Sequence, residues 1–220
     1  MRYKLLKRKN TMSIDIRHGM PEEKFVKVYV ERVSDSLSLE GIYPDERREE
    51  IEATRNVETK MHKLSAWRLL TKALFDLGVD IKNIPIYKSE CGKWLCDGFY
   101  FSISHSKDLV CVAISSENVG IDIQSKDKDY GDNFAKRILS KPEFEEYGNL
   151  SSDEKIKYID AAWCKKESIM KTLGAKAFFP QEIEIKDHDL YFTSLMHNSV
   201  LYYLSVCTSL AGNVEIIGVR

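Results

Sequence analysis

The chain has 220 residues, a net charge of −1, 43% apolar and 30% charged residues. That is an ordinary globular composition, with core enough for one large domain or two small halves. A near-zero net charge gives no overall field to recruit nucleic acid or an anionic membrane, and no apolar run is long enough to span a bilayer, so neither is expected as a partner. The five cysteines (Cys91, Cys96, Cys111, Cys164, Cys207) are odd in number and lack a C-x-x-C, and the five histidines form no H-x-x-x-H. They read as reduced thiols of a cytoplasmic protein, and the pattern argues against a disulfide frame or a zinc hydrolase.

The leader MRYKLLKRKN is basic without an apolar core, so it reads as a frayed, charged segment and not as a secretory signal. Residues 1–24 are weakly patterned, with a short strand at Met12–Arg17. Phe25–Val33 alternates apolar and polar residues and predicts a strand. Ser34–Pro44 is a loop, and the charged stretch Asp45–Thr59 predicts a solvated helix. Met61–Gly78 is a helix with Leu64, Trp67, Leu70, Leu74 and Leu77 on one face and Gly78 as its stop. Arg68 borders that face, where a snorkelling surface arginine is the ordinary reading.

The period then changes to two. Asn83–Lys88 is an edge strand interrupted by Pro85, followed by a turn at Glu90–Trp94. Phe99–Ile103 places Phe99, Phe101 and Ile103 on one face and Tyr100, Ser102 and Ser104 on the other, with His105 and Ser106 ending the strand. Leu109–Ile114 is a continuous apolar run, as in a central strand buried on both faces. Val119–Gln124 alternates, with Val119, Ile121 and Ile123 inward and Gly120, Asp122 and Gln124 opposite. Residues 125–155 are polar and carry short helices at Phe134–Leu139 and Pro142–Tyr147, the second capped by Ser140.

Ile156–Leu173 is an amphipathic helix, with Ser152 as cap, Gly174 as stop and an apolar stripe of Ile156, Ile159, Trp163, Met170 and Leu173. Lys166 and Glu167 fall on the two edges of the stripe, and Asp160, Glu167 and Lys171 share a flank. Segments Ile183–Ile185, Leu190–Leu195, Val200–Thr208 and Val214–Val219 read as antiparallel strands. Each half runs strand, long helix, strands, which predicts an α+β fold duplicated about residue 118, with halves 1–118 and 119–220.

Asp122 and Gln124 leave one strand face together, and Gly120 beside them leaves room for a bulky neighbour. With Glu167 they make a hard, oxygen-rich set suited to Mg2+, which takes one or two carboxylates, waters and phosphate oxygens. Taken singly, these residues have plainer readings. Glu167 and Lys171 form an i,i+4 pair, Asp122 bonds a turn, His105 is structural, and Lys93 is a solvated lysine.

The elements SISHS (102–106), VGIDI (119–123) and WCKKESIMK (163–171), with GK (92–93) upstream and FAKRILSKPEFEEY (134–147) between, occur in the order and spacing of Sfp-type 4′-phosphopantetheinyl transferases. The resemblance covers roughly residues 25–210, and the ordered set is far more specific than any single element. It implies a pseudo-dimer of two α+β halves, each a small antiparallel sheet on a long helix, with coenzyme A in the cleft between them. Such enzymes use Mg2+ to move the phosphopantetheine arm of coenzyme A onto a serine of an apo acyl or peptidyl carrier protein, and the sequence leaves open whether Mn2+ can replace Mg2+. They release adenosine 3′,5′-bisphosphate.

Carried over by position, Asp122, Glu167 and Gln124 are the metal ligands, and Glu167 also orients or deprotonates the serine. Lys171 neutralises the pyrophosphate, and Ser104 and His105 hold phosphate. Arg68, Lys93 and Lys166 belong to the coenzyme A site, and Glu143 borders it. The chain departs from the pattern at three places. Gln124 replaces a second acid, Trp94 a proline after GK, and Ser102 an asparagine. Two other readings compete: a catalytically silent protein that binds coenzyme A or a carrier, and an unrelated Mg2+-dependent phosphohydrolase. Two halves in one chain point to a monomer.

Overall fold

A computed structural model describes residues 23–90, 92–126, 130–174 and 179–218. The strand expected at Met12–Arg17 lies outside the described residues. The alternating FVKVYVERV forms strand β1 (Val26–Arg32), with Val26, Val28 and Val30 in one hydrophobic cluster and Tyr29 in another. The charged stretch that follows is two helices. Helix α1 (Asp45–Glu52) stops at Ala53, and α2 (Val57–Asp76) restarts behind Asn56, whose side chain accepts from the Thr59 amide at 2.8 Å. Helix α1 is not fully solvated, because Ile51 and Arg47 are buried one turn apart. Helix α2 buries Leu64, Trp67, Leu70 and Leu74 against the sheet, as its spacing predicts.

Pro85 lacks an N–H, and the strand there is short: residues 81–83 form a 3-10 turn and β2 covers Ile86–Lys88. It pairs antiparallel with β3 (Trp94–Cys96) as a separate hairpin. Strand β4 (Tyr100–Ser106) precedes β5 (Leu109–Ser115), which is buried throughout and lies between β4 and β1. Strand β6 (Gly120–Ser125) opens a second sheet. Helices α3 (Asp132–Ile138) and α4 (Lys141–Gly148) follow, the latter closed by a Ser140–Glu143 capping box.

Helix α5 (Ser152–Leu173) is capped by Ser151 with Glu154, not by Ser152, and Gly174 ends it at φ +63°. The segment at 180–187 is two 3-10 turns, not a strand. Strands β7 (Leu190–His197) and β8 (Val200–Cys207) complete the order β6-β8-β7. Strand β9 (Val214–Gly218) is not antiparallel to its predecessors. It crosses to the first sheet, parallel to β1, giving β4-β5-β1-β9. The architecture is mixed α+β, and the first sheet draws strands from both sides of residue 118.

Helix α5 packs on β6 and β8 with a face the apolar stripe does not describe. Cys164 and Ser168 face the sheet, Ile159 and Ala162 join the cluster of α3 and α4, Asp160, Lys166 and Ile169 are buried as well, and Leu173 is exposed. Trp163 leaves the sheet and meets the Phe134 ring edge-on at 5.4 Å. Small residues dominate the sheet-facing side because the helix comes very close. A Cβ on Gly120 would run into the Ser168 carbonyl oxygen and lie 2.6 Å from the Thr172 amide nitrogen. The bulky neighbour for which Gly120 leaves room is therefore α5 itself. Among the described residues no helix is long and apolar enough to cross a membrane.

Candidate active site

Strands β4 and β6 belong to different sheets, and serine hydroxyls join them. Ser102, Ser104 and Ser106 lie at period two on one face of β4. Their hydroxyls accept from the amides of Ile121, Ile123 and Ser125 at 3.1, 3.4 and 2.9 Å. The site sits on this seam. Ser104 donates to Asp122 Oδ1 at 2.7 Å, and Lys171 Nζ donates to the same oxygen at 2.7 Å and to Ser104 Oγ at 2.9 Å. A hydroxyl has one donor and two acceptor positions, so Ser104 is saturated. Gln124 turns its amide nitrogen, not its oxygen, to Asp122 Oδ2 at 2.8 Å.

Glu167 lies one turn before Lys171 on α5 and is partly buried. Burial raises the pKa of its carboxyl, the Asp122 charge raises it further, and Lys171 opposes both. For Lys171, burial works to lower the pKa. The charge and hydrogen bond of Asp122, with Glu167, outweigh it and keep the ammonium charged. The geometry thus gathers two carboxyls and one ammonium around a strand and a helix that cannot separate without opening the Gly120 contact.

His105, the next residue on β4, is exposed at its outer edge but stacks on His62, with ring centroids 4.3 Å apart and planes 12° from parallel. Burial of the covered face, the His62 ring and the Lys171 ammonium push its pKa down to about 4, so the ring is neutral near pH 7. Beside the acids opens a pocket of about 360 Å3, lined among others by Arg47, Trp67, Lys93, Trp94, Met170 and Lys171. Lys93 Nζ donates to the Lys171 carbonyl at 2.6 Å, tying the β2–β3 hairpin to the end of α5. Arg47 lies over Trp67 at 4.6 Å and Trp94 at 5.8 Å. Glu50 holds the group together, bonding Arg47 at 3.1 Å and the Trp94 indole at 3.3 Å.

Residues 118–200, which contain Asp122, Gln124, Glu143, Lys166, Glu167 and Lys171, match the sequence model of the 4′-phosphopantetheinyl transferase superfamily. The chain is similar to the 4′-phosphopantetheinyl transferase gsp of Aneurinibacillus migulanus, 29% identical over 127 residues, or 57% of this chain and 53% of that protein. It is 37% identical over 81 residues to the transferase Sfp of Bacillus subtilis (strain 168), 37% of this chain and 36% of that one. A further Bacillus subtilis 4′-phosphopantetheinyl transferase is 28% identical over 172 residues, 67% of this chain and 76% of that protein. Residues 118–200 thus match the 4′-phosphopantetheinyl transferase superfamily, and the relatives that the chain resembles support an Sfp-type transferase. The chain spans about half the length of the first of these relatives and about a third of the second.

The residues expected from the family pattern do not all meet. Asp122, Gln124, Glu167, Lys171, Ser104 and His105 gather at the seam, and Lys93 borders the adjoining pocket. Arg68 is elsewhere: its guanidinium donates to the Ser36 carbonyl at 3.0 Å and to that of Ser38, pinning the loop before α1. Lys166 is fully buried on another side of α5. Its ammonium meets Glu143 at 2.6 Å and the carbonyls of Pro180 and Ile183 at 2.8 and 2.7 Å. All three of its donors are used, so it is not available to coenzyme A. Glu143 in turn accepts from the Ser140 and Ile185 amides.

Sequence reasoning missed Arg47, Glu50 and His62. Arg47 was hidden in a helix read as solvated. The available signal was Ile51 four residues on, which marks a buried edge. Among the described residues no three acid, His or Cys side chains converge as a ready metal cage. Two carboxylates and an amide fit a hard cation only where a ligand's phosphate oxygens and water complete the shell.

Proposed function

We propose that this chain transfers the 4′-phosphopantetheine arm of coenzyme A to a serine of an apo carrier protein, releasing adenosine 3′,5′-bisphosphate. The observation that carries this reading is the grouping of Asp122 and Glu167 around Lys171, which itself lines a pocket together with Arg47 and Lys93. Phosphoryl transfer needs positioning and charge neutralisation above all, and this arrangement offers both. Mg2+, or Mn2+ in its place, held by Asp122 and Glu167, would neutralise the pyrophosphate as a Lewis acid. Lys171 turns from Asp122 to the departing phosphate. Glu167, with its raised pKa, orients the carrier serine and takes its proton. Ser104 holds Asp122 and Lys171 in place instead of touching phosphate. His105 offers a neutral N–H to the ligand's phosphates, and Arg47 and Lys93 face the nucleotide end.

A relative from Lactobacillus johnsonii (strain CNCM I-12250 / La1 / NCC 533) is named a holo-[acyl-carrier-protein] synthase, which supports an acyl carrier as partner. Exposed Lys136 and Arg137 on α3 suit the acidic helix of such a carrier. We place the protein in the cytoplasm as a monomer acting in fatty acid, polyketide or nonribosomal peptide biosynthesis. A silent binding protein of the same fold is the second reading, favoured by the amide at position 124.

Intact-mass spectrometry on a panel of apo acyl and peptidyl carriers, with coenzyme A, Mg2+ and an EDTA control, separates the two. The expected result is a carrier heavier by one phosphopantetheine arm, with metal only, and no gain with Glu167→Gln. No gain on any carrier by a folded protein that binds coenzyme A would establish the silent reading.

A further inference from the structure

The turn after β4 is held from both sides. Lys107 takes a left-handed φ of +49°, a costly choice for a residue with a side chain. On one side His62 of α2, 7% exposed, hydrogen-bonds the Lys107 carbonyl through Nε2. That bond fixes its tautomer, since a carbonyl requires the proton on Nε2. On the other side Asp108 accepts from Asn198 at 3.0 Å and from the Tyr202 hydroxyl, and faces His197 at 3.4 Å. These contacts fix the backbone that carries His105, but not its ring. A histidine at an exposed strand end has two soft torsions, and the broad face of the His62 ring is what its covered side rests on.

We infer that His62 is a positioning residue for the anion site: its imidazole, locked by the Lys107 carbonyl, sets the plane of the His105 ring from beneath. The inference rests on the proposed contact between His105 and the phosphates of coenzyme A. Helix α2 thereby reaches the site without touching ligand. Among the mostly apolar buried residues of α2, His62 is polar, and its bond to the Lys107 carbonyl occupies one ring nitrogen only. Placed under His105 it supplies a flat face that holds the neutral ring in one plane.

The test is a double-mutant cycle read by calorimetric titration of coenzyme A in the presence of Mg2+. His105→Ala is expected to weaken binding about tenfold, as for a hydrogen bond to a charged group. His62→Ala is expected to weaken it roughly two- to tenfold, the range for a stacked ring pair. The double variant should be no weaker than His105→Ala alone. Equal losses for His62→Ala in both backgrounds, or no loss in either, overturn the inference. Two variants that keep the volume guard against misfolding. His62→Phe, which keeps a flat ring, should bind more tightly than His62→Leu, and equal affinities would also overturn it. Wild-type affinity in His105→Ala would instead remove His105 from the anion site, a failure of the underlying reading visible before His62 is altered.

Discussion

Lys171 Nζ lies 2.7 Å from Asp122 Oδ1, and Gln124 covers the other carboxylate oxygen, so both faces of a carboxylate that is 2% exposed are occupied by donors. In the proposed reading the lysine stands where Mg2+ would approach. Asp122 and Glu167 together with Lys171 leave about one net negative charge, too little to draw a divalent ion out of water without phosphate oxygens.

Thermal melts should therefore be unmoved by millimolar Mg2+ alone and raised by Mg2+ with coenzyme A. At a hundredfold excess over Kd the linkage is about 2.7 kcal/mol, or roughly 5–10 °C for a chain of this size. Lys171→Met should lower the melting temperature, since stranding a buried carboxylate costs about 3–5 kcal/mol. Mg2+ alone should restore part of that loss. A wild-type melt that rises with Mg2+ alone would show that the lysine does not hold the metal position.

Gly120→Ala tests the helix–sheet contact that brings the acids together. The added methyl meets backbone atoms of Ser168 and Thr172, which cannot swing away as a side chain can. Overpacking of this kind costs about 1–3 kcal/mol or more, so a drop of roughly 3–10 °C is expected. Coenzyme A affinity should fall with it, because α5 carries Glu167 and Lys171 and β6 carries Asp122. Unchanged stability would mean that the helix stands farther from the strand.

Much of this was legible in the sequence, and the misses have physical causes. The central strand β5 was read correctly because a continuous apolar run has few other uses. The seam residues were legible because S-x-S-x-S and G-x-D-x-Q both keep period two, which fixes the faces. The buried face of α5 was misread because the helix sets the small residues Cys164 and Ser168 against the sheet, which apolar periodicity does not weigh. Lys166 was misassigned because burial and pairing with Glu143 are tertiary facts. That Arg47 borders the pocket while Arg68 bonds the loop before α1 was hidden for the same reason: the sequence shows charge, not which arginine lies over Trp67. The parallel return of β9 to β1 has no local signature at all.

Glu50 gives a pH prediction. Burial works to raise its pKa, but hydrogen bonds and charges from Lys88, Arg47 and Lys63 outweigh it and lower the pKa from an ordinary 4.5 to about 2. The unfolded chain then binds more protons between these values, so stability rises with pH across that window. The contribution is complete above about pH 4.5 and is lost as pH falls toward 2, on the order of 3 kcal/mol. Glu50→Gln should be less stable at pH 7 in urea titrations, and its stability should fall less steeply between pH 4.5 and 2. Because Glu50 also holds Arg47 and Trp94, coenzyme A should bind the variant more weakly. Parallel acid profiles for variant and wild type would show that the cluster contributes nothing.

Gln124→Glu changes both the bonding of Asp122 and the charge offered to a metal. At present the amide nitrogen donates to Asp122 Oδ2 at 2.8 Å. A carboxylate in its place removes that donor and sets a like charge against a buried one. The apo variant should lose about 1–3 kcal/mol, the cost of an unsatisfied buried group, with a lower melting temperature as the direct readout. The same change brings a third carboxyl to the site, so divalent ions should bind before any nucleotide does. Mg2+ alone should then raise the melting temperature of the variant while leaving wild type unmoved, and the two curves should converge once coenzyme A is added. A variant as stable as wild type without metal, and as indifferent to Mg2+, would show that position 124 turns away from Asp122.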